Sequence, residues 1–267
     1  MTALASALAA LTLASPVPAF RHVVVIVFEN KERGEVVGTA SAPTFARLAR
    51  AGASLPRYDG VAHPSLPNYL ALVSGSTHGI ESDCTDCSVS GPSLADGLGA
   101  ARRTWKTYAE GLPRPGFTGA YAGRYAKKHD PLVYFASTDL SRIVPLTQLS
   151  RDLRANTLPD FALVVPDLCN DMHYCPVATG DRWLARLAPS LATLPDTAVF
   201  VVFDEGHTDL GGGGNVPALA FGSAVRPGSR FAARTSHYGL LRTIEDAWGL
   251  PRLGRSAGAV PITGIWR

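Results

Sequence analysis

The chain has 267 residues, of which 46% are hydrophobic and 18% are charged, and its formal net charge at pH 7 is +3. A chain of this length buries enough apolar surface to fold without a metal or a partner, so any metal in this protein would serve function. The small net charge, without a run of Lys or Arg, argues against a nucleic-acid surface and against a polybasic membrane anchor.

The first 20 residues contain no charged side chain and carry a short run of small apolar residues, ALASALAALTLA. The run is shorter than the roughly 20 residues that cross a bilayer, and it is typical of the hydrophobic part of a secretory signal peptide. No basic residue precedes it, and an ordinary chain terminus is the alternative interpretation. We predict a signal-peptide remnant over residues 1–20, a secreted protein and no transmembrane anchor.

The four cysteines form two close pairs in polar segments, Cys84 with Cys87 and Cys169 with Cys175. Exported proteins keep disulfides, and each pair could close a local bridge. One zinc site made of all four is the alternative, but such sites usually have two Cys-x-x-Cys knuckles and this chain has one. We predict two local disulfides.

Apolar runs alternate with helical patterns along the chain. Short runs rich in Val and other apolar residues predict four buried parallel strands, at residues 22–28, 160–165, 197–203 and 216–221. Apolar residues three and four positions apart predict helices at residues 43–51, 67–73, 181–194 and 237–248. This alternation predicts the α/β class, as a three-layer α/β/α sandwich with a mostly parallel sheet. Residues 21–267 would form one domain, with a loop-rich excursion at about residues 76–159.

Several common catalytic motifs are absent from the sequence. It contains no G-x-G-x-x-G that opens a helix, no P-loop, no G-x-S-x-G and no H-E-x-x-H. Dinucleotide redox chemistry, P-loop NTPase activity, ordinary α/β-hydrolase activity and zincin protease activity are therefore disfavoured.

Polar residues directly follow two of the predicted strands. Glu29 and Asn30 follow the first, and Asp204 and Glu205 follow the third. Because the carboxyl ends of parallel strands open at one edge of a sheet, these side chains should converge there. Clustered carboxylates repel one another unless a cation lies between them, and oxygen ligands suit a hard divalent ion. Helix capping by each acid is the alternative, but the repetition favours a shared divalent-metal site.

A further polar group follows the strand predicted at residues 160–165. It contains Asp167, Asp171 and His173, and another histidine, His237, opens the last predicted helix. Both histidines could reach the sheet edge, where each could be a metal ligand, a phosphate binder or a general acid. A histidine without a role in chemistry is the alternative for each.

The segment HPSLPNY places Ser65 directly before a predicted helix, with Pro67 in its first turn. Ser65 is therefore a natural N-cap. The free N–H groups and the positive dipole end at this point would also bind a phosphate. Spacing alone favours the cap, but a metal beside Ser65 would make its hydroxyl a nucleophile.

Three more residues are candidates for substrate binding, namely His63, Asn68 and His129. His129 follows Lys127 and Lys128, and this basic patch could attract an anionic substrate or could be a solvated surface turn.

Several segments together resemble one family, in chain order HVVVIVFEN, HPSLPNYLAL, GRYAKKHDPLVYF, NDMH, ATGDRWL, FDEG, SHYGLLRTIEDAWGLP and PITGIW. The chain resembles the bacterial and fungal phosphoesterase family that contains secreted acid phosphatases and phospholipase-C-type enzymes. That family is similar in fold to the alkaline phosphatase superfamily. The resemblance extends from about residue 21 to the C-terminus, and its segments are specific only in combination.

The resemblance implies roles for the same residues. Glu29 and Asn30 match the first metal-site pair of the family, and Asp204 and Glu205 match its later acidic pair. Ser65 falls where this fold carries its Ser or Thr nucleophile. The residues Asp171, His173 and His237 fall where related enzymes hold a second metal or bind phosphate through histidine.

We therefore expect a secreted phosphomonoesterase that depends on a divalent metal ion and acts on a small phosphorylated substrate, with a phosphoinositide or another phospholipid among the candidates. A phosphodiesterase or phospholipase C on the same site is one alternative. A non-catalytic protein that binds a phosphorylated ligand is the other.

Overall fold

The computed structural model describes residues 15–267. In chain order its strands and helices are β1 (His22–Phe28), α1 (Arg33–Val36), α2 (Pro43–Ala51), β2 (Ala53–Ser54), β3 (Tyr58–Asp59), α3 (Ser65–Ser74), α4 (Leu94–Ala100), β4 (Trp105–Ala109), β5 (Tyr121–Ala122), β6 (Tyr125–Ala126), β7 (Ile143–Pro145), α5 (Thr147–Ala155), β8 (Phe161–Val165), α6 (Val177–Ala192), β9 (Thr197–Phe203), β10 (Ala218–Phe221), β11 (Ser229–Arg230), β12 (Thr235–Ser236) and α7 (His237–Trp248).

Most of the predicted signal-peptide segment, residues 1–14, lies outside the described residues. The described part of it packs against the domain. Val17 and Phe20 are buried in the core, and the indole N–H of Trp248 donates to the Phe20 carbonyl at 2.9 Å. Among the described residues, no helix is both long and apolar enough to cross a bilayer.

An eight-stranded sheet forms the centre of the fold, in the order β11-β2-β10-β9-β1-β8-β4-β7. Strand β1 is parallel to both of its neighbours, β9 and β8, and β4 and β7 continue the parallel part of the sheet. Every residue of β1, β8 and β9 is buried, as expected for parallel strands that are covered on both faces. The prediction of an α/β fold with a mostly parallel sheet is confirmed.

The strand predicted at residues 216–221 is present as β10, but its predicted parallel direction is wrong. It pairs antiparallel with β9 on one side and with β2 on the other. A parallel return requires a long crossover, usually a helix. Between β9 and β10 the only helical segment is the three-residue 3-10 turn Leu210–Gly212, so the chain folds straight back beside β9.

The segment 76–159 holds more regular structure than its composition predicts. It contributes β4 and β7 to the central sheet, together with α4 and α5. Strand β4 includes Lys106 and Tyr108, which both donate to Asp152 Oδ2, each at 2.6 Å. Because their polar groups find this partner on α5, the strand forms without an apolar run.

Both predicted disulfides are present, Cys84–Cys87 and Cys169–Cys175. The described residues contain no free cysteine, so the alternative of a four-cysteine zinc site does not apply.

Candidate active site

The carboxyl ends of β1 and β9 bring four polar residues to one point. Phe28 lies opposite Phe203 in this parallel pair, so residues 29–30 and 204–205 leave the sheet side by side. The Asn30 backbone N–H donates to Asp204 Oδ1 at 2.9 Å, and Asn30 Nδ2 donates to Glu29 Oε2 at 2.7 Å. Asn30 has a positive φ of 52°, which Asn tolerates better than most residues.

Ser65 lies between two carboxylates of this group. Its Oγ is 2.9 Å from Glu29 Oε2 and 3.2 Å from Glu205 Oε1, and the residue is 1% exposed. Ser65 is the first residue of α3, and Pro64 occupies the N-cap position. Ser65 therefore does not cap the helix, the role that spacing alone favours, because its hydroxyl is directed at the carboxylates and not at the helix backbone.

The loop after β8 forms the other side of the site. The Glu29 N–H donates to the Asp171 carbonyl at 2.9 Å, and Asp171 Oδ1 accepts the His173 N–H at 2.7 Å. The His129 ring stands between the two acids, with Nδ1 3.2 Å from Asp171 Oδ2 and Nε2 3.2 Å from Glu29 Oε1. Tyr69 stacks on that ring at a centroid distance of 5.3 Å and donates to Glu29 Oε1 at 2.6 Å.

Burial raises the pKa of the carboxyl groups in this cluster. The pKa of Glu29 lies well above its usual value, because of burial first and then the charges of Asp204 and Asp171. The pKa of Asp204 is raised to about 6 by burial and by Glu205, and burial raises the pKa of Asp171 to about 8. Burial also raises the pKa of Glu205. A cation that compensates the charge would favour the ionised form of such a cluster.

The cluster contains buried polar atoms that make no hydrogen bond in the described part of the chain. Asp204 Oδ2 and His173 Nδ1 have no hydrogen-bond partner there, and the 3.2 Å contacts of His129 Nε2 with Glu29 and of Asp171 Oδ2 with His129 lack hydrogen-bond geometry. One ligand atom from each of Glu29, His129 and His173 lies within 4.8 Å of the others. Carboxylate and imidazole ligands in an anionic pocket suit a divalent cation. The residues present therefore fit a metal ion.

His129 lies inside the site and is 1% exposed, so the alternative that it belongs to a solvated surface turn is wrong. Burial, followed by the nearby charge of Lys128, lowers its pKa to about 3. The two preceding lysines are also buried. Lys128 Nζ donates to Asp83 Oδ2 at 2.7 Å and lies 3.5 Å from His173 Nε2, whereas Lys127 Nζ donates to the carbonyl of Thr85 at 2.7 Å.

His237 lies beneath the site with both ring nitrogens engaged. Its Nε2 donates to the Asp204 carbonyl at 2.6 Å, and its Nδ1 is 3.1 Å from the Tyr58 hydroxyl. A carbonyl only accepts, so Nε2 carries the proton and Nδ1 accepts from Tyr58. Burial lowers the pKa of His237 to about 4. The ring therefore supports Asp204, and both of its nitrogens are engaged within the protein, which leaves neither free for the predicted catalytic role.

Asn68 and His63 hold the loop before α3. The buried Asn68 uses its amide within this loop, which does not fit its predicted contact with substrate, whereas His63 is exposed beside Glu205 and stays a candidate for that contact. Asn68 Oδ1 accepts the N–H of Val61 at 2.8 Å, and its Nδ2 donates to the Ala62 carbonyl at 2.8 Å. His63 Nδ1 contacts Glu205, and its Nε2 lies 3.2 Å from the Thr208 carbonyl. Burial alone would lower the pKa of His63, but these hydrogen bonds raise it.

Asp83 reaches the N-terminus of α3, where the sequence predicts a phosphate site. Its Oδ1 accepts the Leu66 N–H at 2.9 Å, so a carboxylate already occupies one of the free donors there. No local pattern marks Asp83 in the sequence. Only its position before Cys84, in the loop closed by the Cys84–Cys87 disulfide, gives a signal.

Comparison with known proteins places the chain among phosphatases. The model of the phosphoesterase family matches residues 39–251. The chain is 38% identical over 260 residues to a phosphatidylinositol-3-phosphatase of Mycobacterium tuberculosis. This match covers 95% of this chain and 85% of that protein. It is 32% identical over 228 residues to an acid phosphatase of Aspergillus fumigatus, and this match covers 78% of this chain. The matched part is 51% of the fungal protein's length.

Solved structures share the fold at low sequence identity. A murine ectonucleotide pyrophosphatase/phosphodiesterase 5 has a TM-score of 0.62 at 11% identity, covering 87% of this chain and 96% of that chain. A protein of the alkaline phosphatase superfamily from Vibrio parahaemolyticus has a TM-score of 0.61 at 14% identity, covering 92% of this chain and 71% of that chain. At these identities the likeness shows the fold alone.

Proposed function

The chain belongs to the phosphoesterase family, and from that premise we propose that it is a secreted, metal-dependent phosphomonoesterase with Ser65 as its nucleophile. The observation that carries the proposal is the buried Ser65 hydroxyl, 2.9 Å from Glu29 Oε2 and 3.2 Å from Glu205 Oε1 at the N-terminus of α3. A serine in this position has an acceptor for its proton and a helix dipole that favours an anion beside it. The two disulfides support export.

Four residues would hold the cation, namely Glu29, Asn30, Asp204 and Glu205. When bound there, a divalent ion polarises a phosphoryl oxygen and lowers the pKa of a neighbouring hydroxyl. The Asn30 hydrogen bonds to Asp204 and Glu29 keep this set in place.

Ser65 Oγ attacks phosphorus in line with the leaving alcohol, and its proton passes to Glu29 or Glu205. The Oγ–P bond forms while the bond from phosphorus to the leaving oxygen breaks, which gives a phosphoserine and an alkoxide that takes up one proton and leaves as the alcohol. Water then attacks the same phosphorus, and phosphate and the Ser65 hydroxyl are released.

His173 is the histidine with capacity left for the substrate. Lys128 Nζ, 3.5 Å from His173 Nε2, only donates, so the neutral ring carries its proton on Nδ1. Nδ1 has no partner within the described residues and can donate to a phosphoryl or leaving-group oxygen. Asp171 holds the His173 backbone through its Oδ1.

The substrate we propose is a small phosphate monoester, including the headgroup of a phosphoinositide. The mycobacterial relative, named as a phosphatidylinositol-3-phosphatase, supports this class. The fungal relatives named as acid phosphatases support general monoester hydrolysis.

Hydrolysis of p-nitrophenyl phosphate by wild type and Ser65→Ala tests the nucleophile. We expect Ser65→Ala to lower kcat by about a thousandfold or more, because removal of a nucleophile leaves only binding and electrostatic effects. Ser74→Ala is the matched control, since Ser74 is a buried serine at the other end of α3. Full activity in Ser65→Ala would refute the nucleophile.

Chelation tests the cation with the same substrate. We expect exhaustive chelation to abolish turnover and a re-added divalent ion to restore it. Full activity after chelation would refute metal dependence. Faster hydrolysis of bis-p-nitrophenyl phosphate than of the monoester would instead favour a phosphodiesterase.

A further inference from the structure

Lys128 is a buried cation that the reaction above leaves without a role. The residue is 9% exposed, and its ammonium lies between Asp83 Oδ2 at 2.7 Å and His173 Nε2 at 3.5 Å. Lysine is rarely buried unless it is paired, because its ammonium is strongly hydrated. The neighbouring Lys127 points elsewhere, since its Nζ donates to the Thr85 carbonyl and lies 4.6 Å from the centre of the Tyr134 ring.

Asp83 brings the ammonium of Lys128 to the nucleophile. The Asp83 Oδ1 atom accepts the N–H of Leu66, the residue after Ser65, while Oδ2 accepts from Lys128. The ammonium thus lies between the N-terminus of α3 and His173. A phosphoryl group bonded to Ser65 Oγ would lie at the same end of α3, on the side where Asp83 holds the ammonium.

Lys128 and Asp83 both act electrostatically on the site, and Lys128 is the more buried of the two. The Lys128 side chain is 11% exposed and that of Asp83 is 27% exposed, so water screens the carboxylate more than the ammonium. Lys128 lowers the pKa of His173, after burial, and opposes the upward shift of the Glu29 pKa.

We propose that Lys128 donates to a phosphoryl oxygen and makes the site prefer dianionic monoesters over monoanionic diesters, an inference that rests on the proposed function. A phosphate monoester carries close to two negative charges above its second pKa of about 6, and a diester carries one. A fixed charge attracts the dianion about twice as strongly at the same distance. Asp83 is the positioning residue that holds the ammonium.

The ratio of kcat/KM for p-nitrophenyl phosphate to that for bis-p-nitrophenyl phosphate at pH 8 tests this inference. We expect Lys128→Met to lower this ratio by about tenfold or more, because a hydrogen bond between charged groups is lost chiefly from the dianion. Lys127→Met is the matched control and should leave the ratio within about twofold of wild type. Lys128→Arg should restore most of it. A ratio that Lys128→Met leaves unchanged would overturn the inference.

Calorimetric binding of inorganic phosphate at pH 8 separates this inference from the proposed function. If the wild type did not hydrolyse p-nitrophenyl phosphate with any divalent ion, the proposed function would be refuted. The affinity for inorganic phosphate would still test whether Lys128 binds a phosphoryl group. We expect Lys128→Met, but not Lys127→Met, to bind phosphate about tenfold more weakly. Equal affinity in Lys128→Met and wild type, or no binding by wild type, would overturn the role of Lys128.

If Lys128→Met does not fold, Asp83→Asn can be used in its place to measure the same kcat/KM ratio. Its amide oxygen can still accept from Leu66, but its NH2 group cannot accept from Lys128. We expect the monoester-to-diester ratio to fall in the same direction by about threefold or more. An unchanged ratio in a folded Asp83→Asn protein would overturn the positioning by Asp83 and, with it, the inference.

Discussion

Unused hydrogen-bonding capacity distinguishes residues that can act on a substrate from residues that hold others in place. His173 follows strand β8, and His237 is the first residue of helix α7. The sequence alone offers the same possible roles for both histidines. His237 has a partner on each ring nitrogen, whereas His173 Nδ1 has none within residues 15–267. Buried polar groups are nearly always paired, so an unpaired one beside the carboxylate cluster is available to bind a ligand or a water molecule. His173 is therefore the better candidate for contact with phosphate.

Tyr58→Phe tests whether His237 is only a support. The substitution keeps the ring and removes the hydroxyl that lies 3.1 Å from His237 Nδ1. We expect the free energy of unfolding in urea to fall by about 1–2 kcal/mol, because a buried acceptor loses its donor. We also expect the pH profile of kcat/KM to keep its shape.

Tyr134→Phe is the control for that experiment, since the Tyr134 hydroxyl donates at 2.9 Å to the Cys84 carbonyl, away from His237. If one limb of the pH profile of kcat/KM shifted in Tyr58→Phe but not in Tyr134→Phe, the result would indicate that His237 takes part in proton transfer.

Elements whose apolar runs are continuous could be predicted from the sequence, and elements that depend on distant polar partners could not. Strands β1 and β9 contain only buried residues. Glu29 and Asp204 directly follow them, so their position at the sheet edge can be predicted from the strands alone. Strand β4 contains Lys106, whose charge is paired only when α5 brings Asp152 to it. His129 and Lys128 lie in the same segment, 76–159, and their place in the site depends on the path of that segment. The sequence marks them as a basic patch with a histidine, but it does not show that His129 is buried beside Glu29.

Helix α7 contains a buried carboxyl group that makes stability depend on pH. Glu245 Oε1 accepts the Leu253 N–H at 2.9 Å, and Oε2 accepts from the Ser256 hydroxyl at 2.5 Å. Burial raises its pKa to about 7, against about 4.3 in an unfolded chain. Between these two values the folded protein binds more protons than the unfolded chain. Its stability contribution is therefore present at low pH and is lost as the pH rises through about 7.

Glu245→Gln should remove this dependence, because the amide stays neutral and its oxygen can still accept from Leu253. We expect the free energy of unfolding of the variant, relative to wild type, to rise by up to about 3 kcal/mol between roughly pH 4 and pH 8. Urea unfolding at several pH values measures it. Glu81→Gln, at an exposed position, is the control and should show no such trend. A difference that does not vary with pH would contradict the buried carboxyl as its source.

At the scale of the whole molecule, the sheet holds in place a cluster that opposes folding when no cation is bound. Glu29, Asp171, Asp204 and Glu205 are all at most 4% exposed, and they meet where three strands end. Buried carboxyl groups near one another cost free energy either as charged groups or through the protonation that neutralises them. The extensive core provided by the buried strands tolerates this cost. A cation that removes it would connect metal binding with the stability of the entire domain.

Glu29→Gln tests that connection, with thermal unfolding at pH 8 as the measurement. Without metal we expect the variant to have a higher Tm than wild type, because one buried acidic group is removed. A divalent ion at about 100 times its Kd should stabilise wild type by about 2.7 kcal/mol, or roughly 5–10 °C in Tm, and should shift the variant by less than about 2 °C. Glu110→Gln is the matched control, since Glu110 follows β4 at the same sheet edge and accepts from Asp167 and Asn170 instead. It should keep the full metal response. The idea would be contradicted if Glu29→Gln had a lower Tm than wild type without metal and the same rise in Tm as wild type when the divalent ion is added. That result would mean that the ion binds elsewhere.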